Sequence, residues 1–79
     1  MNNNCIPLHQ LPLGKTGRVS KLTSEGNTRR RLLDLGLITG TKVEVLQKSP
    51  SGDPRAYNIR GAVIALRCEE ASQIFVESI

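Results

Sequence analysis

Turn-forming residues punctuate this chain so densely that only one segment, Ser24 to Gly36, leaves room for a helix. Elsewhere Gly, Pro, Asn and Ser bound short apolar runs, the pattern of brief strands joined by turns. Within the exception, Leu32, Leu33 and Leu35, followed by Leu37, recur at helical spacing, while Arg29, Arg30 and Arg31 step about 100° apart around the axis. Asn27 is the expected N-cap and Gly36 the expected left-handed residue at the C-terminal end. A helix of about eight residues is marginal in water, so its leucines must pack on something else. Asp34, four residues after Arg30 and three after Arg31, is expected to form a local ion pair.

The flanking segments read as strands. In the stretch from Thr16 to Leu22, Val19 and Leu22 are the apolar points, and their spacing breaks strict alternation, which predicts a bulged or bent strand. Val43 and Val45 alternate with Lys42 and Glu44 as in a half-buried strand. Ser49 to Pro54 concentrates turn formers and marks a loop. Two further strands follow, hinged at Gly61, then one helical or 3₁₀ turn over Glu69 to Ser72 and a last strand from Ile74 to Glu77. Residues 1–13, with Pro7 and Pro12, read as an extended N-terminal arm.

The expectation is therefore an all-β fold: a small β-barrel of about five strands with one short α-helix inserted after the first strand. Closure would remove the edges that short strands leave exposed. With 79 residues the chain makes a single domain, 1–79, with a small core and little room for an elaborate buried active site.

Composition narrows the function classes. Eleven Lys and Arg against seven Asp and Glu give a net charge of +4, which permits an anionic partner without implying nucleic acid. Cys5 and Cys68 are too few and too far apart for a secreted disulfide framework, so a reducing compartment is expected. The longest uncharged apolar run, Ala62 to Leu66, is far below the roughly 18 to 20 residues that span a bilayer. A soluble, cytoplasmic protein with no membrane insertion is expected. The one His has no accompanying nucleophile motif or phosphate loop, and no enzyme activity is expected. Cys5, His9, Cys68, Glu69 and Glu70 lack the paired spacing of a closed metal site, so neither a metal nor a cofactor is expected; Cys5 and His9 sharing a metal with a second molecule is the alternative. Tyr57 and Phe75, the only aromatic residues, are too few to line a proline-rich peptide groove or to stack bases.

Taken in order, RRLLDLGLITGTKVEVL, then SGDP, IALR, EEA and IFVES, the sequence resembles the FeoA family, small accessory proteins of bacterial ferrous iron uptake. The resemblance covers roughly residues 8 to 77. It implies an SH3-like β-barrel and a cytoplasmic, non-catalytic adaptor that docks on the cytoplasmic region of FeoB, the membrane iron transporter with a GTP-binding domain. Thr39 stands where the family usually has Pro in a Leu-Gly-Leu-x-Pro-Gly turn. Two other readings stay open: a small-barrel nucleic-acid-binding module, favoured by charge and the Arg cluster alone, and a metal-sensing SH3-like module as in iron-dependent repressors.

The candidate contact residues fall in three places. Arg30 and Arg31 belong to the arginine run, of which at most two members can face one partner. Asp53, Arg55 and Tyr57 lie on or beside the loop before the fourth strand, where recognition residues commonly sit. Val63, Ala65 and Phe75 are apolar residues expected on the outer side of strands whose neighbours Ile64, Leu66, Ile74 and Val76 face inward. Leu8, Leu11 or Leu32 are the simplest cover for that outer face; otherwise it is a strip for a partner or for weak homo-oligomerisation.

Overall fold

Period-two burial organises the molecule. Val43 and Val45 are at most 1% exposed, Lys42 is exposed and Glu44 half-buried, so one face of this strand is sealed and the other wet. The computed structural model describes residues 5–48, 50 and 52–79. In chain order these form β1 (Cys5–Pro7), a 3₁₀ turn (Leu8–Gln10), β2 (Thr16–Leu22), α1 (Gly26–Asp34), β3 (Lys42–Lys48), β4 (Arg55–Ile59), β5 (Ala62–Leu66), α2 (Cys68–Ala71) and β6 (Ile74–Ser78). Ser49 and Ser51 of the expected loop lie outside the described residues.

The strands make one antiparallel sheet in the order β1-β6-β2-β3-β4-β5. Its register shifts between Val19 and Lys21 in β2 and between Val45 and Gln47 in β3. An extra residue at such points increases local twist and bends the strand, which lets a sheet this small curl over a single core. The first shift is the bulge that the spacing of Val19 and Leu22 predicts. The core fills the concave side, with Leu8, Leu11, Leu32, Leu37, Tyr57 and Ile74 all at 0% exposure.

Four features differ from the sequence expectation. There are six strands because the N-terminal arm adds β1 to β6, Ile6 facing Val76. The sheet does not close among the described residues, since β1 and β5 stand at its two ends, each with one edge unpaired. The helix begins at Gly26, whose φ of 63° swings the chain into it one residue before Asn27, and Glu25 occupies the cap position with no capping side-chain bond. Finally, among the described residues Asp34 is not the partner of an arginine. Arg31 instead pairs across to Glu70 of α2, whose Oε1 is already fixed by the Arg67 N–H at 3.1 Å, so the more preorganised carboxylate takes the cation.

The C-terminal end of α1 follows the sequence closely. Gly36, at φ 100°, lets its N–H donate to the Leu33 carbonyl at 2.9 Å and the Leu37 N–H donate to that of Leu32 at 3.1 Å. This is the Schellman pattern, and it turns Leu37 into the core. Gly17 matters for a different reason. A Cβ there would lie 2.9 Å from Cγ2 of Val76, so β2 and β6 approach closely only because position 17 has no side chain. Gly17→Ala is expected to destabilise the chain by about 1–3 kcal/mol through forced overpacking, read from a denaturant midpoint that falls at unchanged slope.

Candidate functional site

Two surfaces stand out, and they are built differently. The first is a shallow groove between α1 and β2, lined by Lys21, Leu22, Arg29, Leu33, Ile38 and Thr39. Leu33 and Ile38 form its apolar part at 38% and 47% exposure. Three side chains give it a cationic border. Arg29 is pinned there because its Nη1 donates to the Leu22 carbonyl at 3.2 Å. Arg30 continues the border along the helix and makes no ion pair or hydrogen bond among the described residues, leaving its charge available. The Lys21 ammonium sits 5.4 Å from the centre of the Phe75 ring. The far wall is held by the turn after α1, where the Gly40 N–H donates to the Val19 carbonyl at 2.8 Å and Thr39 Oγ1 reaches the Ser20 carbonyl at 3.5 Å. An apolar strip with positive edges suits an amphipathic, acidic partner segment, since the apolar contact supplies affinity and the charges supply orientation.

The second surface is the outer side of β5, where Val63 is 70% exposed and Ala65 is exposed. Leu8, Leu11 and Leu32 do not cover it; all three are buried in the core.

The candidate contact residues therefore do not converge. Arg30 is free on the helix, whereas Arg31 is engaged with Glu70. Asp53 accepts the Cys68 N–H at 2.9 Å and lies 3.7 Å from Arg67, bracing the loop against α2. Arg55 is half-buried and donates from Nη1 to the Leu11 carbonyl at 3.1 Å, tying β4 to the N-terminal arm. Tyr57 is fully buried, which corrects its placement as a contact residue: β4 alternates, and position 57 shares the inward face with Ile59. Phe75 is half-buried beneath Lys21.

Leu33, Ile38 and Lys21 were not singled out as contact residues from the sequence, and of the arginine run 29–31 the residues chosen were Arg30 and Arg31 rather than Arg29. A signal existed for Leu33, because adjacent leucines on a helix point about 100° apart and a short helix can bury only one of them deeply.

Among the described residues no group of three or more His, Cys, Asp or Glu side chains is close enough to hold a metal ion, both cysteines are free, and no helix is long and apolar enough to cross a membrane.

A curled six-stranded antiparallel sheet with one short helix after its second strand is the architecture of SH3-like modules. The FeoA domain matches residues 6–78, and the chain belongs to that family. It is 33% identical over 72 residues to an Fe(2+) transport protein A/Fe(2+) transporter FeoB fusion protein of Porphyromonas gingivalis, an alignment covering 91% of this chain and 8% of that much longer relative. A FeoA-like protein from Clostridium acetobutylicum superposes with a TM-score of 0.90 at 32% identity, over 99% of this chain and 91% of the other. The zinc-complexed FeoA of Stenotrophomonas maltophilia, described as a prokaryotic SH3 domain protein, superposes with a TM-score of 0.79 at 30% identity, covering 89% and 87% of the two chains.

Burial of Tyr57 has a titration consequence. Loss of solvent around the phenol pushes its pKa from 10.0 up to about 12, against the opposing pull of the Arg55 guanidinium. Between those values the unfolded chain has released a proton that the folded chain retains, so stability falls as pH rises through that window. The absorbance titration of the single tyrosine is expected to have its midpoint near 12, and Tyr57→Phe is expected to flatten the stability loss between pH 10 and 12.

Proposed function

We propose that this chain is a non-catalytic adaptor of ferrous iron uptake that docks through the α1–β2 groove on the cytoplasmic region of a FeoB-type transporter. The observation that carries the reading is the Porphyromonas gingivalis relative, in which a FeoA segment and a FeoB transporter are one polypeptide. Covalent fusion keeps two partners at high effective concentration, an arrangement useful when the segments work together. The groove adds the physical means, with Leu33 and Ile38 exposed beside Arg29 and Arg30. Iron is the transporter's cargo in this scheme, so the adaptor needs no site for it. Its influence is thermodynamic: binding shifts the transporter only by the difference in affinity between two of its states.

The test is a titration of the isotopically labelled chain with the cytoplasmic region of a FeoB-type transporter, in the presence of guanosine diphosphate or a non-hydrolysable triphosphate. Amide shifts are expected at Lys21, Arg29, Leu33 and Ile38, with different affinities in the two nucleotide states. Leu33→Glu is expected to weaken binding at least tenfold, about 1.4 kcal/mol. Arg30→Glu should weaken it less and reduce its salt sensitivity, both without a change in thermal midpoint. Absence of shifts in both nucleotide states overturns the proposal.

A further inference from the structure

The two ends of the sheet are treated very differently. At one end β1 is three residues long and finishes in Pro7, two devices that blunt an edge against further pairing. At the other, β5 runs Ala-Val-Ile-Ala-Leu with no charge, no proline and no register shift against β4. An uncharged, regular edge is a template for another strand.

Hairpin geometry shows which backbone groups that edge presents. β4 and β5 are joined by the two residues Arg60 and Gly61, both at positive φ (53° and 87°), with Ile59 opposite Ala62. This is a type I′ turn, whose closing pair exchanges both hydrogen bonds. Bonding then alternates along an antiparallel ladder, so Ala62, Ile64 and Leu66 bond to β4 while the N–H and C=O groups of Val63 and Ala65 point away from it. Neither residue makes any other backbone hydrogen bond among the described residues. Two donors and two acceptors therefore line the open edge, centred on Ile64.

From this pattern we infer that β5 is a self-association edge, pairing antiparallel with β5 of a second copy of the chain about a two-fold axis at Ile64. In that register Val63 of each copy faces Ala65 of the other, and the outward groups of both form four N–H···O=C bonds with none left over. Ile64, only partly buried in one copy, meets Ile64 of the second copy as a close non-hydrogen-bonded pair. The exposed Val63 side chain lies beside the smaller Ala65 of the second copy, which leaves it room. A short strand pair buries less than the roughly 1,200 Å² of a stable specific interface. The dimer is accordingly weak, with a dissociation constant on the order of 10⁻⁴ to 10⁻³ M.

Sedimentation of the full chain from about 10 μM to about 1 mM is expected to show a shift from monomer toward dimer. Amide exchange at Val63 and Ala65 should slow over the same range, while that of Leu33 and Ile38 stays constant. Ala65→Pro removes an edge donor that β4 does not use, and is expected to leave a folded monomer at every concentration. Should that variant unfold, Val63→Lys carries the test, since an edge lysine should weaken the dimer at least tenfold without touching the core. A chain that remains monomeric to 1 mM, a dimer in which the Val63 and Ala65 amides do not respond, or undiminished dimerisation of Val63→Lys overturns the inference. No transporter is present in these measurements, so their outcome is independent of the docking proposal.

Discussion

Burial of Leu32 commits the whole surface of the helix. It is the one fully buried residue of α1, and an α-helix admits no independent choice for its neighbours. With Leu32 inward, Leu33 turns about 100° toward solvent and Arg29 and Arg30 are carried to the rim of the groove. The Schellman turn at Gly36 then sends Leu37 back into the core and leaves Ile38 exposed on the groove's far side. The apolar strip is thus the by-product of packing one leucine well, and its cost is a pair of large aliphatic side chains facing water.

The molecule presents two exposed surfaces of different character that share no residues. The α1–β2 groove offers side chains, an apolar strip bordered by cations, and docking there as proposed would be sensitive to salt. The β5 edge offers backbone groups, so the pairing inferred for it would depend on geometry more than on side-chain identity. β2 and β5 are separated in the sheet by β3 and β4, so occupation of one leaves the other available. A small curled sheet can leave both surfaces open because its core needs only one face of each strand.

The loop before β4 illustrates how a recognition-like composition becomes structural. Asp53 and Arg55 have the polarity of contact residues, but each holds chain segments together: Asp53 accepts from the first N–H of α2, and Arg55 donates to the Leu11 carbonyl. Tyr57 fills the core as its largest buried side chain. Composition could not show this, because a Tyr two residues beyond a turn is equally suited to a surface patch and to a core plug.

Local pattern by itself determined the helix around Leu32, its stop at Gly36, the bulge in β2, the hairpin at Gly61 and the alternation of β3 and β5, since each depends on residues within a turn or two of one another. Inward Leu66 and outward Val63 and Ala65 were legible for the same reason. Tertiary structure alone decided that the N-terminal arm supplies a sixth strand, that Arg31 chooses Glu70 over Asp34, and that β5 stays an open edge. Those outcomes depend on distances between segments far apart in the chain, where the number of competing partners is large and only the packed core selects among them.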